Sequence, residues 1–253
     1  MTTARTNAPQ SADTTTDAVE IPWYDLIDDP EPPEDGMQQE DTIHDVMSIL
    51  KARYENHPDV LLSGQTNVIY NSEVPGSYVA PDGFVVFGLE TDSKLIKWER
   101  RSYRIDEWGP TPAFVLEVAS ESTALRDLGE KREIYAEMGA QEYWRLDKRR
   151  EYYGEPLVGE RLVDGEYVRF ELHTEANGDV WSRSEVLGVD FYYRVEDDGR
   201  GEFLVRDSLT GEWLNTLGTE RTLRQDAEAR AQAAEARNRE LQAELERLRQ
   251  GEE

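Results

Sequence analysis

PDGFVVFG (81–88) and TPAFVLEVAS (111–120), followed by ESTALRDLGEKREIYAEMG (121–139) and QEYWRLD (141–147), decide how this chain folds. Phe84, Val85, Val86 and Phe87 form an unbroken apolar run, and Phe114, Val115 and Leu116 form a second. Such runs mark strands covered on both faces, because a strand with one wet face alternates. The segment after the second run has helical spacing and stops at Gly139, a residue suited to a left-handed helix end. Strand, helix and strand with short joints predict a crossover unit, hence an α/β core with at least one parallel strand pair.

On the N-terminal side, Ile43, Met47, Leu50 and Tyr54 recur three or four apart, which predicts a helix from about Gln39 to Tyr54, with Pro58 just beyond its end. VLLSGQTNVIY reads as one or two strands and SEVPGS as a turn. Residues 1–20 carry little to bury and read as a disordered lead. IPWYDLIDDPEPPEDG offers Trp23, Tyr24 and Leu26 as an anchor along the domain surface.

Between Leu89 and Thr111 stand Lys94, Lys97, Arg100, Arg101 and Arg104 beside Trp98, Tyr103 and Trp108. This local basic excess reads either as a substrate-facing segment or as an amphipathic hairpin with solvated charges. From Tyr152 to Val195, apolar patches separated by Asp-Gly and Asn-Gly read as hairpins that extend or flank the sheet.

The C-terminal segment, taken as 209–253, changes character after Leu217. Ala227, Ala231, Ala234, Leu241, Leu245 and Leu248 fall on one seam with Asn238, and no Gly or Pro interrupts before Gly251. That pattern predicts a helix with a short coiled-coil signature, suited to a homodimer or higher homo-oligomer. The globular body is expected over 21–208.

The chain has 253 residues, enough for one substantial core with an extension. It has no cysteine, which excludes disulfides, Cys-ligated zinc and thiol nucleophiles by inventory. No apolar stretch approaches the length of a membrane span and no secretory h-region is present, so a cytoplasmic protein without a membrane partner is expected. The formal net charge is -26, and such a surface repels nucleic acid in dilute salt. Two readings stay open: a high-salt cytoplasm that screens the charge, or the absence of any polyanionic partner. His44, His57 and His173 are too scattered for a metal cluster.

Chemistry is suggested by two carboxylates at strand termini. Asp82 precedes one buried run and Glu117 ends the other, so neighbouring strands would bring them together to hold a divalent cation against a phosphodiester. The Val118 carbonyl can complete the protein's share of the coordination shell. On the following helix Asp127, Lys131 and Tyr135 repeat every four residues, placing an ammonium near the phosphate or the attacking water with Asp127 to orient it. An ordinary surface ion pair accounts for that spacing equally well. Ser120, Ser122 and Thr123 lie where hydroxyls cap a helix. Glu40 either reaches the site from the first helix or simply complements that helix's dipole.

PDGFVVFG, FVLEVASEST and RDLGEKREIYAEMGAQEYWRLD together resemble the Uma2 family, also called DUF820, of the PD-(D/E)XK nuclease superfamily. The resemblance runs from roughly Met37 to Val195. It implies a restriction-endonuclease-like α/β core with a mixed central sheet flanked by helices, DNA as substrate, and Mg²⁺ or Mn²⁺ as cofactor. By position, Asp82 and Glu117 are the motif carboxylates. The motif lysine is missing, since Ala119 stands two residues after Glu117, and the basic role moves to Lys131. Ser120, Thr123 and Asp127 match further family positions, whereas Glu121 replaces the usual proline and leaves the strand exit less restrained. Two other readings remain: a catalytically weak or inactive nuclease-fold interaction module assembling through its C-terminal helix, and hydrolysis of a nucleotide or other phosphoester.

Overall fold

The stripe of Ile43, Met47 and Leu50 folds as the inner face of helix α1 (Met37–Arg53), with all three side chains buried. We describe a computed structural model in which residues 22–25, 27, 37–99, 101–197, 199–215, 237 and 239 are placed. After α1 come strands β1 (Leu61–Ser63), β2 (Val68–Ile69), β3 (Tyr78–Val79) and β4 (Gly83–Val86), then helix α2 (Ser93–Glu99), β5 (Tyr103–Arg104) and α3 (Ile105–Trp108). The crossover unit follows as β6 (Phe114–Val118), α4 (Ala124–Leu128), α5 (Glu130–Met138) and β7 (Glu142–Leu146). The remaining strands are β8 (Leu157–Val163), β9 (Glu166–Arg169), β10 (His173–Thr174), β11 (Val180–Ser184), β12 (Val189–Val195), β13 (Gly201–Asp207) and β14 (Trp213–Leu214).

The first sheet has the order β1-β4-β6-β7-β8-β9 and is mixed: β6 and β7 run parallel, and every other neighbouring pair is antiparallel. Both unbroken apolar runs occupy its interior, as the sequence predicts, and every residue of β4, β6 and β7 is buried. One face packs against α1 and a second, antiparallel sheet, β10-β11-β12-β13-β14, through Phe114, Leu116, Trp144, Phe191 and Val205. The opposite face packs Val115 and Tyr143 against Tyr135 of α5, Ile96 of α2 and a three-stranded sheet, β3-β2-β5.

Several expectations change. The single helix expected over 121–139 is broken at Gly129, whose φ of −123° and ψ of −94° leave the helical region, although Gly139 does close α5 in the left-handed conformation. The segment from Leu89 to Thr111 is no hairpin: helices α2 and α3 flank β5, which pairs in parallel with β2. Of the hairpins after Tyr152, β8 and β9 extend the first sheet and the later strands build the second. Residues 213–214 pair with β13, so the first part of the expected C-terminal helical segment is sheet. The disordered lead over 1–20 and the coiled-coil seam lie outside the described residues. Trp23 does anchor the N-terminal stretch, donating its indole N–H to the Ser72 carbonyl at 2.8 Å and packing on Tyr78.

Glu142 joins the two large sheets. Its buried carboxylate accepts from Trp144 Nε1 at 2.9 Å, Ser184 Oγ at 2.5 Å, and the backbone N–H groups of Glu185 and Val186 at 2.8 and 2.9 Å. Arg53 adds an ion pair from α1 to Asp207 of β13. Removing Glu142 strands four donors in the interior, so Glu142→Ala is expected to destabilise by about 3–5 kcal/mol. Glu142→Gln, which turns an NH2 toward two of those donors, is expected to lose at least ~2 kcal/mol. Chemical denaturation of the three proteins measures both; an unchanged midpoint would refute the clamp.

Candidate active site

The antiparallel pairing of β4 with β6, Gly83 opposite Leu116, brings the residue before β4 to the end of β6. Asp82 therefore meets Glu117 and Val118, as the two strand-terminal carboxylates require. Asp82 Oδ2 accepts the Val118 backbone N–H at 2.7 Å, and the Asp82 carboxyl is close enough to Glu117, Asp127 and Lys131 to feel all three electrostatically. The loop carrying Asp82 is braced from β1's end: the Gln65 N–H donates to the Pro81 carbonyl at 3.2 Å. A Cβ at Gly64 would lie 2.7 Å from the Asp82 carbonyl oxygen, so only glycine fits that approach.

Lys131 lies between two fully buried carboxylates, 2.9 Å from Glu117 Oε2 and 3.0 Å from Asp127 Oδ1. The break at Gly129 leaves this i,i+4 contact intact. It is no ordinary surface pair, since Lys131 itself is only 6% exposed. Tyr135, one turn further on, donates to Glu117 Oε1 at 2.5 Å. Asp127 is fixed by Thr123 Oγ1 at 3.0 Å and by Tyr153 Oη at 2.7 Å, while its backbone carbonyl accepts from Tyr143 Oη at 2.8 Å. Ser120 shares a 2.8 Å hydrogen bond with Thr123, and its oxygen also accepts the Thr123 N–H at 3.2 Å in the turn before α4, whose N-cap residue, Thr123, makes no side-chain cap hydrogen bond.

Burial sets the electrostatics. It pushes Asp82 up to about 6, although the Val118 N–H and Lys131 pull the other way. It also drives Glu117 well above the usual carboxylate range, with Asp82 and Asp127 adding to the effect and Lys131 opposing it. For Lys131 burial favours the neutral amine, but Glu117, Asp127 and Asp82 outweigh it and raise the ammonium above its ordinary value. Three carboxyl groups thus face one permanent cation.

Glu40 is exposed, whereas its neighbour Gln39 is buried and turns into the site. Gln39 Nε2 donates to the Val118 carbonyl at 2.9 Å, so Asp82 and Gln39 hold the N–H and C=O of the same residue. Gln39 Oε1 is buried with no hydrogen-bond partner among the described residues. Neither Gln39 nor Tyr153 carried a sequence signal: each meets the site only through the tertiary fold, 79 and 26 positions from its partner. Gln39, Asp82, Thr123, Arg126, Glu130 and Lys131 line a cavity of about 530 Å³. Lys94, Lys97, Arg101 and Arg104 do not line it, so the basic segment fails as its wall.

Among the described residues no group of three or more His, Cys, Asp or Glu is placed to hold a metal ion. The oxygens at hand are the Asp82 and Glu117 carboxylates and the Val118 carbonyl. Two carboxylates with a carbonyl suit a hard cation that keeps several waters, as Mg²⁺ does, rather than a closed protein cage.

A carboxyl raised by burial favours the folded state when protonated. The stability tied to Asp82 is therefore full below about pH 4 and lost as pH rises through about 6. In chelator, lowering the pH from 7.5 to 5 should raise the Tm of the wild type relative to Asp82→Asn by about 5 °C. Asp207 and Asp179, whose pKa values are lowered, begin to lose stability only below that window. Parallel Tm profiles for the two proteins would contradict the assignment.

The model of the Uma2 family, described as "Putative restriction endonuclease", matches residues 25–196. Solved structures that match include one from Anabaena variabilis ATCC 29413 described as "a putative nuclease belonging to DUF820". It is 12% identical, covers 72% of each chain and superposes with a TM-score of 0.35. No curated protein matches. With most of its length matched by that one model, the chain belongs to the Uma2 family.

Proposed function

We propose that the chain is a metal-dependent endonuclease that hydrolyses DNA phosphodiester bonds, with Asp82, Glu117 and Lys131 as its catalytic residues. The observation that carries this reading is the meeting of Asp82, Glu117 and Lys131 beside one cavity, on two strand ends and a helix. A Mg²⁺ or Mn²⁺ ion fits the donor set: the oxygens are hard, and three carboxyls against one ammonium leave about two negative charges when all are ionised. Asp82, Glu117 and the Val118 carbonyl would hold it. Bound there, a divalent cation polarises the phosphate and lowers the pKa of the attacking water.

The remaining steps fall to the chain's own groups. Lys131, held cationic by Glu117 and Asp127, donates to a phosphate oxygen or orients the water and does not act as a proton acceptor. Asp127, fixed by Thr123 and Tyr153, keeps the ammonium in place, and Ser120 supports Thr123. Gln39 fixes the Val118 carbonyl. Glu40, exposed beside it, serves at the site's edge. The body over 21–208 carries this chemistry, and the segment beyond β14 assembles copies of the chain. DNA approaches despite the net charge of -26 when salt screens it or a second subunit contributes cations.

Wild-type protein should nick supercoiled plasmid with Mg²⁺ or Mn²⁺ somewhere between dilute and molar KCl. Glu117→Gln and Lys131→Met, confirmed as folded by circular dichroism, should be slower by at least ~100-fold. If the wild type neither cuts nor binds Mn²⁺ at any salt concentration, the nuclease reading falls and that of an inactive interaction module replaces it. Gln39→Ala should weaken Mn²⁺ binding, measured by titration calorimetry, by roughly 10-fold. An unchanged affinity removes Gln39 from the site.

A further inference from the structure

Lys51 at the end of α1 and Lys94 and Lys97 on α2 line one cavity of about 390 Å³, together with His57 and Asn56 from the loop between α1 and β1. Lys51 lies twelve positions beyond Gln39 along α1, a rise of about 18 Å, so this cavity is distinct from the carboxylate site. The pocket is held by backbone contacts: the Ser93 N–H donates to the Pro58 carbonyl at 2.9 Å and the Leu89 N–H to the Asp59 carbonyl at 3.0 Å. Asp92 Oδ1 accepts the Lys94 N–H at 2.8 Å and fixes the start of α2.

The charge pattern is the unusual feature. The chain has 54 acidic residues against 28 basic ones, and most described arginines have a carboxylate within 4 Å. None of the three lysines forms an ion pair with a described residue, and Glu55 is the single carboxylate in the lining. Lys97, on the open wall of the cavity, is held below its ordinary pKa by partial desolvation there and by Lys51. Three ammonium groups facing a single carboxylate repel one another, and an anion seated among them relieves that repulsion.

We propose that the cavity bounded by Lys51, Lys94, Lys97 and His57 is an anion site for a phosphate group. Two sources share that chemistry: a backbone phosphate of a DNA duplex, or a phosphate-bearing small molecule. The duplex source rests on the nuclease reading, whereas the small-molecule source does not.

The test compares full-length wild type with Lys51→Gln/Lys97→Gln, a pair of exposed substitutions, in chelator. Inorganic phosphate is titrated while the His57 imidazole resonances are followed, with chloride at matched ionic strength as the control. Binding of a fluorescent 20-base-pair duplex is measured by anisotropy over a salt series. Phosphate should shift His57 in the wild type and not in the variant. If the duplex also binds the variant about 10-fold more weakly, with a salt slope reduced by about 1–2, the site takes a DNA phosphate. If duplex binding is equal or absent in both proteins while the phosphate response still needs the lysines, the site takes a phosphate-bearing small molecule, and this result stands even if plasmid cleavage fails. A His57 response that chloride reproduces, or one unchanged in the variant, overturns the proposal.

Discussion

The buried contact of the Lys131 ammonium with Glu117 and Asp127 is the constraint around which the rest of the structure is arranged. A charge taken out of water without partners costs several kcal/mol, and removing one member of a buried pair costs about as much. The fold therefore needs Glu117 on an interior strand, Tyr135 of α5 packed on that face of the sheet, and Tyr135, Thr123 and Tyr153 to supply hydrogen bonds where water cannot. The balance is incomplete. Carboxyls outnumber the cation, and the interior meets the excess by holding protons on Glu117 and Asp82 beyond their usual range. A packed interior designed for stability alone would use apolar side chains here.

The strands and the crossover were legible because their signals are local. Unbroken apolar runs, a glycine helix stop and short joints led directly to the parallel β6–β7 pair, and the residue types at the strand ends pointed to Asp82 and Glu117. Lys131 and Asp127 were legible through their four-residue spacing, which survives the break at Gly129. Sequence spacing could not distinguish Glu40 from Gln39. Which of two adjacent polar residues turns inward depends on how α1 is rotated against β6, and that is set by the apolar stripe of Ile43, Met47 and Leu50. Packing turned the amide of Gln39 inward and left the acid of Glu40 at the surface.

The same limit explains the basic segment. Its lysines are concentrated in sequence, but the pairing of β5 with β2 sets α2 beside the far end of α1, away from the carboxylate cavity. Arg104, from the same segment, is taken up by Glu107 and the ring of Tyr24. The later hairpins gave correct strands without their destination. Whether a hairpin lengthens an existing sheet or starts another depends on long-range contacts, here the β11 turn meeting Glu142.

Glu142 also bears on how such a chain can change over generations. A carboxylate enclosed by donors from β7 and from the end of β11 is tolerable only while both sheets are present. Once that residue was covered, a descendant that lost the second sheet would bare the apolar face of the first and break up the donor set around Glu142. Neutralising Glu142 first would instead strand the donors that close the β11 turn. Either route passes through a poorly folded intermediate, so the second sheet, whatever brought it to the fold, is now entrenched there by one buried side chain.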